Sequence, residues 1–309
     1  MTELRVGSEA HKERFCRDFI ASHQPYEPEQ LPWPDLDGPD LDRLRAVPFW
    51  EEVLHTERAA GAKVNAYAAL IKDPLIREAV DLQGVEESRH ARMLRFMIQH
   101  YGINVSEHPL ARFPSDLEKL FIDFGYGECL DAFLGFGAFT IARQARFLPE
   151  SMFTIFDQLM QEETRHIVFF INWMAYRQVQ RGWVAQQLRA ATSLRFYGRA
   201  VRRLVGTIRR GAESNGQDFS ATQANLFLDG FSAATFLENC LQENTRRMSG
   251  FDAQLLQPRL LPALARVALF GMKLWPQNRR NPTPSTTQQL QSHQPPQERT
   301  APMHRHDNG

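Results

Sequence analysis

The sequence EESRH at residues 86–90 recurs as EETRH at residues 162–166. Each copy places a glutamate three residues before a histidine, a spacing that puts both side chains on one face of a helix. A single glutamate, Glu57 or Glu128, precedes each copy by a similar distance. The repeat therefore predicts two similar pairs of helices, each with one Glu-x-x-His and one lone glutamate.

These glutamates and histidines interrupt apolar stripes. Four helices are predicted, at residues 49–72, 75–101, 115–147 and 150–181, and each has apolar residues at intervals of three and four. The polar members of the four stripes are Glu57 in the first helix, Glu87 and His90 in the second, Glu128 in the third, and Glu163 and His166 in the fourth. Their placement in phase on four helices indicates a polar cluster inside an apolar bundle.

Four buried carboxylates need compensating positive charge, because an unpaired buried charge is strongly destabilising. Two divalent cations would balance them, and carboxylate with imidazole ligands suits iron or manganese. The predicted ligands are Glu57, Glu87 and His90 for one ion and Glu128, Glu163 and His166 for the other, with Glu87 and Glu163 as bridges. Glu52 and His55 share the Glu-x-x-His spacing but have no second copy, so we interpret them as ordinary, partly exposed side chains.

With this ligand pattern, residues 49–181 resemble the ferritin-like di-iron carboxylate superfamily. The extended repeat, an acidic residue followed by Glu-x-Arg-His, is more similar to the oxygenase and desaturase branches than to iron-storage ferritins. Those branches include the bacterial multicomponent monooxygenases and the acyl-carrier-protein desaturases. The resemblance implies an all-α, ferritin-like four-helix bundle that binds two iron ions, or a manganese–iron pair, and uses dioxygen as co-substrate.

The glutamates that begin each repeat lie one helical turn before the histidines. We therefore predict that Glu86 accepts a hydrogen bond from the outer ring N–H of His90, and Glu162 from that of His166. Such bonds would orient the two imidazoles towards the metals.

The two arginines of the repeat are interpreted through the same resemblance. It implies that Arg89 pairs with Glu162, and Arg165 with Glu86, so that the two ligand helices are tied together. The alternative for both arginines is an ion pair on the solvated surface, which would contribute little to stability.

The third predicted helix carries four glycines, each costing about 1 kcal/mol relative to alanine inside a helix. They are Gly125, Gly127, Gly135 and Gly137. One interpretation is that they leave room beside the metals for dioxygen and an apolar substrate; the other is close packing between helices. Cys129, next to a predicted ligand in sequence, points away round the helix and is interpreted as a small buried apolar residue.

The sequence divides into four segments by composition. They are an N-terminal arm with a proline-rich part (1–48), the four-helix bundle (49–182), additional helices near 183–212, 219–248 and 254–275, and a polar tail (276–309) predicted to be disordered. The proline-rich part is expected to be extended and to lie on the bundle, because proline removes a backbone donor and restrains its neighbour.

Charge and cysteine content restrict the function classes. Lys plus Arg (36) equals Asp plus Glu (36), so no global charge favours nucleic acid or an anionic membrane. The three cysteines, Cys16, Cys129 and Cys240, form no CxxC pair, which argues against a disulfide framework or a zinc ribbon. The same cysteine pattern fits a reducing cytoplasm, so we predict a cytoplasmic protein. Because no apolar run of 18 or more residues is uninterrupted, we predict no transmembrane segment.

The first helix after the bundle is rich in arginine. Its arginines are Arg189, Arg195, Arg199, Arg202, Arg203, Arg209 and Arg210. A stripe including Arg195, Arg199, Arg202 and Arg203 would suit an acidic carrier protein, a reductase or RNA; a solvated helix face is the alternative.

The resulting functional prediction is a di-iron oxidoreductase that activates dioxygen to hydroxylate, desaturate or otherwise oxidise an organic substrate, either a small molecule or a carrier-bound group. Electrons would come from an external donor such as a ferredoxin or a similar reductase, because the chain contains no second redox motif. A ferroxidase that handles iron without an organic substrate, and an RNA-modifying or RNA-binding protein, are the alternatives. A homodimer is kept open as the assembly.

Overall fold

The computed structural model describes residues 4–183, 186–215 and 232–274. Over these ranges the chain is all-helical, with nine α-helices and no β-strand, which confirms the predicted all-α class. The helices are α1 (Glu9–Ala21), α2 (Gly38–Ala46), α3 (Trp50–Ala68), α4 (Pro74–His100), α5 (Leu117–Gln144), α6 (Glu150–Gln180), α7 (Gln186–Asn215), α8 (Ala233–Met248) and α9 (Leu260–Leu274).

The four helices predicted between residues 49 and 181 are α3 to α6, and local sequence signals set their ends. Asp73 caps α4 by accepting hydrogen bonds from the backbone N–H groups of Leu75 and Ile76, both at 3.0 Å. Asp116 caps α5 in the same way. Gly102 and Gly182, which follow α4 and α6, have φ values of +60° and +84°, a backbone region that glycine enters without steric cost.

These four helices enclose a common interior. Helix α3 packs on α4 and α5 packs on α6, while α3 also contacts α5 and α4 contacts α6. At one level the interior is aromatic: Tyr67 of α3 stacks on Phe121 of α5 at 4.6 Å, and Trp173 of α6 meets Phe121 edge-on at 5.1 Å. The apolar stripes that predicted the helices therefore face one another.

The N-terminal arm is more helical than predicted. Helix α1 contacts α4 and α6, with Phe15, Cys16 and Phe19 buried, and Lys12 pairs with Asp73 at 2.6 Å. Within the segment predicted to be extended, residues 38–46 form α2. The proline there is compatible with a helix because it occupies the first turn, where its missing N–H would have had no partner.

The additional helices extend the core outward from α5. Helices α7 and α8 both pack on α5. Helix α9 begins at Leu260 instead of residue 254, and it buries Leu261 and Ala265 while Val267, Phe270 and Leu274 are exposed. No described helix is both long and apolar enough to cross a bilayer. The predicted tail (276–309) and the first part of the predicted helix 219–248, up to residue 231, lie outside the described residues.

The glycines of α5 fall into two groups. A Cβ atom at Gly125 would overlap the Phe170 ring of α6, and one at Gly137 would overlap Cys240 of α8. A Cβ atom at Gly127 would lie 4.0 Å from its nearest neighbour, and a Cβ atom at Gly135 would have no neighbour within 4 Å, so neither would overlap another residue. Close helix packing therefore accounts for Gly125 and Gly137.

This difference predicts opposite effects of one substitution. Gly125→Ala should destabilise the protein by about 1–3 kcal/mol, because Phe170 is 1 % exposed and held among other rings. Gly135→Ala should stabilise it by about 0.5–1 kcal/mol through helix propensity. Urea denaturation of both variants measures the two changes, and a destabilised Gly135→Ala would show that this position is also packed.

Candidate metal centre

The six predicted ligands converge in the interior of α3 to α6. In the described part of the chain they form two overlapping groups, and within each group one nitrogen or oxygen atom per residue lies within 4.8 Å of the others. The first group is Glu57, Glu87, His90 and Glu163, and the second is Glu87, Glu128, Glu163 and His166. Both histidines are fully buried. The convergence uses one residue from α3, two from α4, one from α5 and two from α6.

His90 presents Nδ1 to the first group. This nitrogen lies 3.1 Å from Oε1 of Glu163, 3.5 Å from Oε2 of Glu57 and 3.7 Å from Oε2 of Glu87. It nevertheless has no hydrogen-bond partner, although it is buried. A buried nitrogen facing three carboxylate oxygens without being bonded to any of them is the arrangement expected around a cation site.

His166 presents Nδ1 to the second group. Its distances are 3.1 Å to Oε1 of Glu87, 3.2 Å to Oε1 of Glu128 and 3.8 Å to Oε2 of Glu163. The second oxygen of Glu128 is buried without a hydrogen-bond partner. The two halves of the site therefore have the same composition, a histidine Nδ1 with three carboxylates.

Glu87 and Glu163 belong to both halves. Glu87 directs Oε2 towards His90 and Oε1 towards His166, and Glu163 directs Oε1 towards His90 and Oε2 towards His166. The two imidazole centroids are 5.7 Å apart. A carboxylate whose two oxygens face two different histidines is placed to bridge two ions, which is the role predicted for these two residues.

The outer nitrogens of the histidines bind glutamates of the opposite helix. His90 Nε2 lies 2.9 Å from Oε2 of Glu162, and His166 Nε2 lies 2.8 Å from Oε2 of Glu86. The predicted pairing within each helix, Glu86 with His90 and Glu162 with His166, is wrong. Because Nδ1 of each ring faces the shared site, Nε2 is directed across the seam between α4 and α6.

The two arginines of the repeat also cross this seam. Arg89 pairs with Glu162, and Arg165 Nη1 lies 2.8 Å from Oε1 of Glu86. Arg89 is 5 % exposed and Arg165 is 9 % exposed, so a solvated surface ion pair is wrong for both. Glu86 and Glu162, called the orienting glutamates below, thus each contact one histidine and one arginine of the opposite helix. The six side chains form one buried network.

The N-terminal segment covers this network, which sequence reasoning did not predict. His23 Nδ1 lies 2.5 Å from Oε1 of Glu86. Arg165 donates through Nε to Ser22 Oγ at 2.9 Å and through Nη2 to a backbone carbonyl of α1 at 2.8 Å. The Tyr26 hydroxyl donates to the other orienting glutamate at 3.4 Å. No spacing or repeat marks these residues, because their partners are more than 60 positions away in sequence.

Burial and the charges of neighbouring side chains shift the pKa values of the carboxyl groups in the site. Burial raises the pKa of Glu57 to about 7 and that of Glu128 well above its usual value. Burial also opposes ionisation of Glu87, but His166 and His90 outweigh it and hold that pKa well below its usual range. Protons on some groups therefore balance charges on others, and divalent cations would replace those protons.

The remaining sequence-predicted residues lie outside the two groups. Glu52 is exposed and His55 is half-buried, and neither belongs to a ligand group in the described ranges. Cys129 is buried, and burial raises the pKa of its thiol well above the usual range, as expected for an apolar role. All three cysteines are free and buried.

Two arginines of the α7 stripe contact α5, and one of them forms an ion pair there. Arg199 lies 2.8 Å from Oδ1 of Asp123, and Arg203 donates to the backbone carbonyl of the same residue at 2.6 Å. Arg195 and Arg202 are exposed. The side chains of Arg209 and Arg210 lie outside the described residues.

Comparisons with known proteins give no relative: no family model, no curated protein and no solved structure matches the chain.

Proposed function

We propose that this protein is a di-iron oxidoreductase with a ferritin-like four-helix bundle, which activates dioxygen to oxidise an organic substrate. The observation that supports it best is that Glu87 and Glu163 belong to both ligand groups. In each of the two carboxylates, one oxygen faces His90 and the other faces His166. Two separate mononuclear sites would not need shared carboxylates. A polar core layer would leave neither Nδ1 of His90 nor Oε2 of Glu128 buried without a partner.

The donor set fits two divalent iron ions. Four carboxylates and two imidazoles provide oxygen and nitrogen ligands, the combination that suits iron or manganese. Four carboxylate charges would balance two divalent cations, so the loaded site would carry no net charge into the apolar interior. The outer hydrogen bonds to Glu86 and Glu162 leave each Nδ1 as the ligand atom.

The chain's own residues would orient and insulate the metals. Bound iron would supply the electrons that reduce dioxygen and the oxidising power for the substrate. Glu86 and Glu162 would keep a proton on each Nε2 and hold the rings in position. Arg89 and Arg165 would balance the charge of these glutamates through ion pairs, and burial of the whole network would exclude water from the site.

The substrate and the electron donor belong to the same proposal. A small organic molecule or a carrier-bound group would be oxidised, and a ferredoxin or a similar reductase would return electrons to the metals. An external donor is needed because the sequence contains no CxxC pair or other second redox motif.

Anaerobic loading with ferrous iron followed by exposure to oxygen tests the proposal. We expect two irons per chain and oxygen consumption that continues only while a reductant is supplied. A single oxidation followed by growth of a soluble ferric mineral would instead establish an iron-handling ferroxidase. Failure to bind ferrous or manganous ion at micromolar concentration would refute the metal site itself.

A further inference from the structure

A surface cleft of about 400 Å³ lies where the start of α5, the end of α6 and α7 meet. Its volume is in the range of pockets that hold small ligands. The cationic side chains that line it are Lys119, Arg177, Arg181, Arg195 and Arg199. Two carboxylates, Asp116 and Glu118, also line it. The cleft therefore has an excess of positive charge.

Ion pairs inside the cleft do not remove this excess. Arg177 and Arg181 share one carboxylate, that of Glu118, at 2.7 Å each. Arg195 is exposed and has no hydrogen-bond or ion-pair partner in the described part of the chain. Arg199 is already paired with Asp123, outside the cleft lining. An anionic ligand in the cleft would therefore find at least two guanidinium groups that still have N–H donors without a hydrogen-bond partner.

Two residues of the cleft lining, Gln178 and Arg199, also carry buried donors that lack acceptors. Gln178 is 3 % exposed, and its Nε2 has no partner. Arg199 Nε is buried and equally without a partner. Buried donors without acceptors are costly and rare in native proteins. A ligand that brings several acceptor oxygens would satisfy them.

Two aromatic side chains, Trp183 and Phe196, also line the cleft. The Phe196 ring already packs against the protein's own side chains, since it stacks on Tyr126 at 4.9 Å and lies under the Arg199 guanidinium at 4.3 Å. Trp183, by contrast, is 41 % exposed. An arginine cluster beside this accessible aromatic ring suits a ligand with a phosphate group at one end and a planar or apolar group at the other.

We propose that this cleft is a binding site for a small organic phosphate. It is a different site from the metal centre: Arg177 follows His166 by eleven positions on α6, and the helix rise of 1.5 Å per residue places the two about 16 Å apart. Phosphate oxygens would accept from Arg195, Arg177 and Gln178, and the organic part would lie against Trp183. Arginine binds phosphate in two-pronged geometry, which favours phosphate over a simple halide.

Isothermal titration of the full chain with adenosine monophosphate and with inorganic pyrophosphate tests this site. We expect saturable binding with a Kd below about 1 mM, weakened by added salt. Arg195→Ala should weaken binding at least tenfold, whereas Arg202→Ala, an exposed arginine on the same helix that does not line the cleft, should leave it within twofold. Tighter binding of the nucleotide than of pyrophosphate would assign the exposed Trp183 ring a role.

A second variant separates a ligand site from a charged surface. Gln178→Met removes the unpartnered donor and keeps the side-chain volume. If the donor serves a ligand, this variant should bind the phosphate at least threefold more weakly while folding normally. Absence of saturable binding up to 10 mM, or equal losses in Arg195→Ala and Arg202→Ala, would overturn the proposal. Loss of phosphate binding with normal iron content would leave the metal-centre proposal untouched, because the two sites are measured separately.

Discussion

Glu87→Ala should reduce the iron content from two ions per chain to less than one. Glu87 faces both histidines, 3.7 Å from His90 Nδ1 and 3.1 Å from His166 Nδ1, so its loss removes a ligand from both ions at once. Glu57→Ala should retain about one ion, because Glu57 belongs to one group alone. Iron per chain after anaerobic loading and desalting measures the difference.

The matched control for these variants is Glu52→Ala. Glu52 lies on the same helix as Glu57 and has Glu-x-x-His spacing, but it is exposed and belongs to neither ligand group. It should retain two irons. Far-UV circular dichroism of each variant separates loss of metal from loss of fold. Equal iron loss in Glu87→Ala and Glu57→Ala would contradict the bridging role of Glu87.

Arg165→Met should destabilise the protein by about 3–5 kcal/mol, the range found when one partner of a buried ion pair is removed. The substitution would remove the guanidinium that lies 2.8 Å from Glu86, a carboxylate that is 0 % exposed, and would leave only Arg89 at 4.0 Å. It would also break the hydrogen bonds from Arg165 to Ser22 and to the α1 carbonyl at 2.8 Å. We expect α1 to be loosened along with the network, because these bonds attach it to α6.

Urea denaturation in the presence of a chelator measures this change without a contribution from metal binding. Arg143→Met is the control, since Arg143 pairs with Glu150 at the surface and both side chains are largely exposed. It should change the free energy of unfolding by at most about 1 kcal/mol. Similar effects of the two substitutions would mean that the Arg165 network is solvated.

The repeated motif was sufficient to find the metal ligands but not their supporting contacts. Glu87, His90, Glu163 and His166 could be placed in the core because helical periodicity relates sequence position to helix face. The partners of the outer ring nitrogens could not be placed in this way. Spacing within one helix suggested Glu86 for His90, whereas the structure pairs it with His166.

The N-terminal arm shows a second limit of the same kind. Its prolines favour an extended chain in the sequence analysis, but Pro39 lies in the first turn of α2, where a proline costs no hydrogen bond. The contacts of His23 and Tyr26 with the orienting glutamates join residues that are far apart in sequence. Neither residue carries a local signal of this role.

The sequence by itself determined the helical class, the boundaries of α3 to α6 within a few residues and the six side chains that converge. These properties depend on local propensity and on the periodicity of single helices, both of which are properties of short segments. The tertiary structure alone decided which carboxylate faces which histidine, how α1 covers the Arg165 network and where the cationic cleft forms. Each of these depends on how separate helices are rotated and positioned against one another, and that is fixed by packing across the whole core.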